Sequence, residues 1–232
     1  MIDNKKILCI IPARGGSKRL PRKNVKPLLG KPLISWTIEQ AKRSKYIDRI
    51  IVSTEDEEIA KISEQHGIYI PFLRPVELAQ DNTPTINVIE HVINKLEKKP
   101  DIIVLLEPTS PIRKKTDVDN MIHKLLERYD DFDSIVSIGE IHLEKPNLAL
   151  KIQGEYIKKY IDDLPTNEKS FFPYGVSYIS KTSTLLQQKT FLQKRTTFYI
   201  LERYQCYEID DIYDFICIES IMKYLLEKGE IL

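Results

Sequence analysis

The chain has 232 residues, of which 42% are hydrophobic, so it can form a folded core and does not have the composition of a disordered protein. Its 35 basic and 34 acidic residues leave a net charge of +1, which argues against a nucleic-acid surface built on bulk charge but allows a local basic pocket. No apolar run approaches the roughly 20 residues that span a bilayer, and Met1–Lys6 lack the apolar stretch of a signal peptide. We therefore expect a cytoplasmic protein that binds neither nucleic acid nor membrane.

Short apolar runs alternate with amphipathic segments in the first 140 residues. The alternation favours a mostly parallel sheet covered by helices. The predicted strands are Ile7–Ile11, Arg49–Ser53, Ile68–Phe72, Ile102–Leu106 and Ser134–Ile138, and the predicted helices between them are Leu33–Ser44, Asp56–His66, Thr85–Leu96 and Val118–Tyr129.

The pattern breaks between residues 140 and 172, where two short alternating runs flank Gly154 as in a hairpin. Regular elements then return. We predict the hairpin strands Leu148–Ile152 and Tyr156–Ile161, the later strands Val176–Ser180 and Phe198–Glu208, and a closing helix Ile212–Leu226. A single α/β domain over residues 1–232, with an irregular insertion at 140–172, fits this order.

The three cysteines, Cys9, Cys206 and Cys217, are far apart and lie among Ile, Leu and Tyr residues. Their spacing matches no zinc motif. We predict buried free thiols in all three cases.

The segment after the first strand, Pro12–Asn24, has the composition of a phosphate-binding loop. Gly15 and Gly16 allow successive backbone N–H groups to point at an anion. Five basic residues lie within ten positions of a chain whose net charge is near zero: Arg14, Lys18, Arg19, Arg22 and Lys23. Walker spacing and the Gly-x-Gly-x-x-Gly pattern are both missing, which argues against P-loop kinases and dinucleotide oxidoreductases. The alternative is a solvated basic surface loop.

The segments after the next two strands are more ambiguous. In residues 53–58, Ser-Thr-Glu-Asp-Glu-Glu, we expect Ser53 or Thr54 to cap a helix whose first turn contains the acids. Farther on, Arg74 stands between apolar residues and suggests an anion or nucleotide contact. Thr83 is a candidate helix cap, with Pro84 at the first helical position.

Two later segments complete the candidate site. Pro108 and Pro111 fix a rigid turn at the end of the fourth strand. Alternation along a strand would place Glu208 and Asp210 on one face, where two repelling carboxylates suit a hard cation such as Mg²⁺ near a triphosphate. Asp211 and the nearby Asp214 are typical of a helix cap and first turn.

Together these residues resemble the CMP-sialic acid synthetase family, also called acylneuraminate cytidylyltransferases. The family's opening motif, Ile-Pro-Ala-Arg-Gly-Gly-Ser-Lys followed by Pro-Arg-Lys-Asn, is present from Ile11 to Asn24. Three further motifs of the family are similar to Arg74–Asp81, Pro108–Arg113 and Glu208–Phe215. The matches run in order across nearly the whole chain.

This resemblance implies a Rossmann-like, mostly parallel sheet of the nucleotide-diphospho-sugar transferase type, flanked by helices, with a dimerisation insertion at residues 140–172. It also implies that a homodimer converts CTP and a nonulosonic acid into a CMP-sugar and pyrophosphate, with Mg²⁺ required. Lys23, Arg14 and Asp210 are the expected catalytic residues, and Glu208 and Asp210 the expected metal ligands. The nucleotide is expected to contact Arg14, Gly15, Gly16, Ser17, Lys18, Lys23, Asn24, Arg74 and Thr85.

The sequence departs from the family pattern mainly in the sugar half. Glu107 stands where the family has glutamine, and Tyr174 stands where an asparagine opens the sugar motif that ends at Tyr178. These three residues are the expected sugar contacts. Glu208 also replaces the usual first aspartate of the metal motif.

Three hypotheses follow. The first is a cytidylyltransferase that activates a nonulosonic acid of the sialic, pseudaminic or legionaminic type for a bacterial surface glycan. The second is a nucleotidyltransferase of the same fold with another nucleotide or acceptor, and the third is a non-catalytic nucleotide-binding protein. The intact loop at Arg14–Asn24 and the pair of carboxylates argue against the third.

Overall fold

The computed structural model describes residues 5–142, 146–154, 156–161 and 168–230, and its centre is a six-stranded sheet. Buried runs of Ile, Leu and Val form its middle strands because β-branched side chains pack well on a pleated surface that is covered on both faces. The strands of the chain are β1 (Ile7–Pro12), β2 (Pro27–Leu28), β3 (Lys31–Pro32), β4 (Arg49–Ser53), β5 (Ile102–Leu105), β6 (Ser134–Glu140), β7 (Leu150–Gln153), β8 (Tyr156–Lys159), β9 (Phe171–Lys181) and β10 (Thr196–Ile200).

The helices occupy the amphipathic segments between the strands. They are α1 (Leu33–Arg43), α2 (Glu57–Gln65), α3 (Thr85–Asn94), α4 (Asp117–Glu127), α5 (Thr182–Gln188) and α6 (Ile212–Glu227). Five of them agree with the predicted helices to within about two residues at each end. The short α5 was not predicted.

The main sheet has the order β10-β6-β9-β5-β1-β4. β1 pairs in parallel with both β4 and β5, so the strand order reverses at β1. β9 is antiparallel to its neighbours β5 and β6, whereas β10 is parallel to β6. The predicted α/β class with a mostly parallel sheet is confirmed. In such sheets, ligands bind at the carboxyl ends of the strands where the order reverses.

Helices cover both faces of this sheet, so the core has two layers. On one face, α1, α2 and α4 pack on the alternate β1 residues Ile7, Cys9 and Ile11. On the other face, α3 and α5 pack on Leu8 and Ile10. The two-residue alternation of side chains along β1 therefore serves both layers.

A third apolar cluster places the closing helix against the first helix. Phe215 and Ile218 of α6 pack with Leu33 and Trp36 of α1, and Ile209 belongs to the same cluster. The helix begins at a capping box in which the Asp211 side chain accepts the backbone N–H groups of residues 213 and 214, which agrees with the predicted cap. This packing fixes residues 208–210 just before the helix.

Two strand predictions were wrong. Residues 68–72, all within the described part of the chain, form no strand, although Ile68 is buried and Tyr69 is exposed as strand alternation requires. Ile68, Ile70 and Phe72 pack on the core without backbone pairing. Pro71 also has no N–H group to donate to a ladder. The last predicted strand was too long, because β10 ends at Ile200.

The segment 140–172 contains the predicted hairpin. β7 and β8 pair antiparallel on either side of Gly154 and form a separate two-stranded sheet, in which Ile152 lies opposite Ile157. Part of the segment, at residues 143–145, 155 and 162–167, lies outside the described residues. Among the cysteines, Cys9 and Cys206 are buried, but Cys217 is exposed on α6, so the prediction for that thiol was wrong. No helix in the described ranges is both long and apolar enough to cross a bilayer.

Candidate active site at the carboxyl end of β1

A cleft of about 710 Å³ opens at the carboxyl end of β1, where the strand order reverses. It is bounded by the segments that follow β1 and β5, by the segment that leads into α3 and by the residue before the cap of α6. Among its lining residues are nine that the sequence predicted for the site: Arg14, Ser17, Lys18, Lys23, Asn24, Arg74, Thr85, Glu107 and Asp210. Residues that are up to 196 positions apart in the chain therefore share one cavity.

The cations of the first loop face carboxylates across the cleft. Arg14 Nη1 lies 2.5 Å from Asp81 Oδ1, and Lys18 forms an ion pair with the other oxygen of the same carboxylate. These two cations hold the pKa of Asp81 below its usual range. Arg19 similarly pairs with Asp210. In each case, carboxylate oxygens occupy the positions near the cations that phosphate oxygens could also take.

One predicted member of the basic cluster turns away from the cleft. Arg22 adopts a left-handed backbone conformation and pairs with both Asp56 and Glu58 at the start of α2. It therefore fixes the loop to that helix and does not line the cavity.

Lys23 connects the first loop to the acidic segment near α6. Its Nζ donates to the carbonyl oxygen of Ile209 at 2.6 Å. Burial lowers the pKa of the Lys23 ammonium, and the nearby positive charge of Arg14 lowers it further. A partly desolvated ammonium interacts more strongly with an anion than an exposed one does.

Two more residues of the loop shape its backbone. Asn24 is buried, and its Nδ2 donates to the carbonyl oxygen of Arg14 at 2.9 Å. Gly15 passes so close to the start of α2 that an added Cβ would overlap the carboxylate of Asp56. Gly16 has open space around its Cα. Neither glycine lines the cleft, although both were predicted to contact the nucleotide. Their role in this structure is to let the backbone of the loop follow its path past α2.

Arg74 approaches the cleft from the segment before α3. Its side chain is only 4% exposed, and its Nη2 donates to Glu55 Oε2 at 2.9 Å. Desolvation lowers the pKa of the guanidinium despite this pairing. Thr85, the first residue of α3, also lines the cleft, whereas Thr83 does not cap the helix as predicted, because Pro84 occupies the cap position.

Glu107 and Glu208 meet beside Gly175, although only Glu107 lines the cleft. An added Cβ on Gly175 would overlap Glu107 Oε2 and lie 3.0 Å from Glu208 Oε1, so glycine leaves room for both carboxyl groups. Burial, and then the negative charge of Glu208, raise the pKa of Glu107 to about 7. Protonation of Glu107 is therefore favoured relative to an exposed glutamate, and the protonated form, like a glutamine, is uncharged and can donate a hydrogen bond.

The two predicted sugar-contact tyrosines lie on β9 on either side of Gly175, outside the cavity lining. Tyr178 donates from its hydroxyl to the carbonyl oxygen of Pro173 at 3.3 Å, and burial raises its pKa. Tyr174 packs edge to face on Phe172, with ring centroids 5.2 Å apart.

The predicted metal ligands do not lie on a strand, so the alternation used to pair them was wrong. Asp210 faces the cleft, whereas Glu208 Oε1 accepts hydrogen bonds from the backbone of Gly175 and, at 3.1 Å, from Ser110 Oγ. Among the described residues, no group of three His, Cys, Asp or Glu side chains could enclose a metal ion. One or two carboxylates still suit Mg²⁺, because this ion commonly keeps waters and takes further oxygens from substrate phosphates.

Sequence reasoning missed the residue that supports this wall of the site. Arg113 is fully buried and donates to the carbonyl oxygens of Glu107 at 2.6 Å, Gly175 at 3.2 Å and Val176 at 2.6 Å. It also donates to side chains of α1, Thr37 Oγ1 and Gln40 Oε1, both at 3.0 Å. Desolvation lowers its pKa to about 10. Its position in the motif after β5 was the only available signal.

Comparisons with known proteins show which family the chain belongs to. The family model described as cytidylyltransferase matches residues 8–231. The chain is 34% identical over 230 residues to the CMP-N,N'-diacetyllegionaminic acid synthase of Legionella pneumophila, with 94% of this chain and 97% of the relative covered. It is 30% identical to the pseudaminic acid cytidylyltransferase of Campylobacter jejuni, with 90% and 93% covered. It is also 32% identical to the N-acylneuraminate cytidylyltransferase of Escherichia coli, but spans only 50% of that longer protein.

Solved structures share the fold. A CMP:2-keto-3-deoxy-manno-octonic acid synthetase complexed with CTP superposes with a TM-score of 0.72 at 17% identity, covering 94% of this chain and 99% of that one. A 4-diphosphocytidyl-2C-methyl-D-erythritol synthase from Anaerococcus prevotii gives 0.67 at 15% identity, covering 95% and 100%. The family match over nearly the whole chain and the relatives at 30% identity or more lead to one conclusion: the chain belongs to the cytidylyltransferase family and is an enzyme of that kind.

Proposed function

We propose that this cytidylyltransferase transfers CMP from CTP to a nonulosonic acid and releases pyrophosphate. The observation that carries the proposal is the convergence of Arg14, Lys18 and Lys23 on one cleft with Asp210 and Glu107. Relatives whose names specify legionaminic, pseudaminic and N-acylneuraminic acids support the acceptor class.

In the proposed reaction, the anomeric hydroxyl oxygen of the sugar attacks the α-phosphorus of CTP. The bond from that phosphorus to the bridging oxygen breaks, its electron pair leaves with pyrophosphate, and the hydroxyl proton is released to solvent. Arg14, Lys18 and Lys23 would stabilise the negative charge that develops on the phosphate oxygens. Asp81 would then give up its ion pairs with Arg14 and Lys18 to the triphosphate. Arg74 and Thr85 would lie on the cytidine side.

Magnesium is part of the proposal. Asp210 on the cleft wall would hold the ion, with Glu208 contributing the carboxylate oxygen that does not bind the Gly175 amide. When bound, Mg²⁺ would neutralise phosphate charge. The observation that supports this assignment is the pairing of Asp210 with Arg19, which shows that this carboxylate shares the cleft with the cations of the first loop.

The acceptor would enter on the side of Glu107, Tyr174 and Tyr178. A partly protonated Glu107 can donate a hydrogen bond and repels an anionic sugar less than a full carboxylate would. The geometry does not favour one nonulosonic acid over another, so the proposal covers the sialic, pseudaminic and legionaminic types.

We further propose that the enzyme is a cytoplasmic homodimer. The β7–β8 hairpin supports the dimer, because Leu150, Ile152 and Ile157 share one face of it and all three are exposed. An isolated two-stranded sheet is marginally stable in water, so a covering surface would stabilise it.

Pyrophosphate release tests the proposal directly. The enzyme would be assayed with Mg²⁺ while four nucleoside triphosphates are crossed with a panel of nonulosonic acids. We expect release with CTP and one class of acid, and a CMP-sugar as the second product. Release with another nucleotide and none with CTP would contradict the proposal, as would a wild-type enzyme that binds CTP but uses no acid in the panel.

The magnesium assignment has its own test. Asp210→Asn removes the charge of the carboxylate on the cleft wall, so we expect Mg²⁺-stimulated turnover to fall by on the order of 10²–10³. Asp130→Asn, on the exposed segment after α4, is the matched control and should retain wild-type turnover. An Asp210→Asn enzyme with an unchanged Mg²⁺ dependence would contradict the assignment.

A further inference from the structure

The acidic residues after β4, Glu55–Glu58, have two different roles, although their sequence is typical of a helix start alone. The cap is Asp56, whose side chain accepts the backbone N–H of Ile59, so the prediction of Ser53 or Thr54 was wrong. Glu57 and Glu58 form the first turn of α2. Glu55 precedes the cap and is not needed for the helix. Its side chain is only 14% exposed.

The carboxylate of Glu55 joins two parts of the site that are far apart in the chain. One oxygen, Oε1, accepts the backbone N–H of Gly15 in the first loop at 2.7 Å. The other, Oε2, accepts Nη2 of Arg74 at 2.9 Å. The backbone next to Glu55 adds a third link, because the N–H of Arg74 donates to the carbonyl oxygen of Thr54 at 2.7 Å.

This arrangement matters because Arg74 is a buried cation that depends on Glu55. In the part of the chain that the structure describes, Glu55 is the carboxylate within ion-pair distance of its guanidinium. The positive charge of Arg14 lowers the pKa of Arg74, and Glu55 raises it. Nε of Arg74 is buried and has no hydrogen-bond partner among the described residues, although the side chain lines the cleft. Glu55 therefore holds one end of the guanidinium of a side chain that borders the cleft.

We propose that Glu55 is a positioning residue for the nucleotide: it orients the Arg74 guanidinium toward the cleft and holds the first loop through the amide of Gly15. The proposal rests on the function proposed above, in which Arg74 and the first loop contact CTP. Glu55 itself does not line the cleft. It acts through the two groups that it holds.

The test is the CTP dependence of Glu55→Gln. A glutamine keeps the size of the side chain but offers a single neutral acceptor oxygen, so one of the two links is weakened or lost. Hydrogen bonds to charged groups contribute enough that we expect KM for CTP to rise by about 10- to 100-fold. KM for the acid should stay within about twofold of the wild-type value, since a purely structural defect would change both substrates alike.

Three further variants sharpen the result. Glu57→Gln, a nearby exposed acid in the same run, should leave KM for CTP unchanged. Glu55→Asp keeps the charge but withdraws the oxygens by one methylene, so its KM for CTP should fall between those of wild type and Glu55→Gln. In an Arg74→Gln background, Glu55→Gln should raise KM for CTP by a smaller factor than it does alone, because the partner of Glu55 has already been removed.

Two results would overturn the inference while leaving the proposed function in place. One is a folded Glu55→Gln enzyme with wild-type KM for CTP. The other is a double variant whose KM for CTP rises by the product of the two single-variant increases. Wild-type protein that binds no CTP in calorimetry would contradict the proposed function itself and, with it, this inference.

Discussion

At the scale of single residues, burial changes what the site offers to a ligand. Glu107 replaces an amide of the family motif with an acid, and the sequence suggests a negative charge facing an anionic sugar. In the folded protein, burial and Glu208 raise the pKa of Glu107 to about 7. The acid at this position therefore repels an anionic sugar less than an exposed glutamate would. The sequence names this residue but not its surroundings, which come from β9 and from the segment before α6.

Glu107→Gln should therefore make the protein more stable at higher pH. The folded-state pKa of Glu107 is raised from the ordinary value of 4.5 to about 7. Wild-type stability is therefore unaffected by this group at low pH and falls as the pH rises from 4.5 to 7, because the buried carboxyl group must then ionise. The free energy of unfolding of the variant should exceed that of wild type by an amount that grows across this range, to at most about 3 kcal/mol. Urea unfolding without Mg²⁺ near the two ends of the range measures it, with Glu64→Gln as an exposed control on α2. A constant difference at all pH values would contradict the shift.

Arg113 provides a second prediction at this scale. Lysine has three donors on one nitrogen and cannot reproduce the five hydrogen bonds of this guanidinium, so Arg113→Lys leaves buried carbonyl oxygens unsatisfied. We expect the free energy of unfolding to fall by about 2–4 kcal/mol. Arg128→Lys, at an exposed ion pair with Asp131, should change it by less than about 0.5 kcal/mol. Equal stability of wild type and Arg113→Lys in urea unfolding would show that these bonds contribute nothing.

At the scale of elements, the sequence predicted those helices, strands and caps that depend on residues close together in the chain. The strand at Arg49–Ser53 and the cap at Asp211 were found from the sequence because both depend on neighbouring residues. The false strand at residues 68–72 has the right alternation, but pairing requires a partner strand that no local pattern reveals. The same limit explains why the antiparallel direction of β9 was not predicted.

The hairpin carries the prediction that belongs to this scale. If its exposed apolar face joins two copies, Ile157→Lys should place a charge in that interface and split the dimer. Light scattering should then give about 27.1 kDa for the variant and twice that mass for wild type. Leu192→Lys, an exposed apolar position outside the hairpin, should remain dimeric. A wild-type mass equal to that of one chain would reject the proposed dimer.

At the scale of the whole molecule, the reversal of strand order at β1 explains why distant motifs form one site. Segments that follow β1 and β5 emerge at the same edge of the sheet, so the parallel pairing of the strands is enough to bring their polar residues together. This much could be predicted from the sequence, given the order of strands and helices. The cross-links that complete the site could not, because Glu55 to Arg74 and Arg113 to Gly175 are pairings between elements that only the packed structure brings together.

The central claim is that the cleft at β1 is where the triphosphate is cleaved, and turnover of Lys23→Ala tests it most directly. Lys23 links the first loop to the carbonyl oxygen of Ile209, and its ammonium is partly desolvated, so its loss should remove much of the charge stabilisation. We expect kcat/KM for CTP to fall by at least about 10² while the urea midpoint stays near that of wild type. Lys61→Ala, exposed on α2, should retain full activity. A folded Lys23→Ala enzyme with near-wild-type turnover would contradict the account.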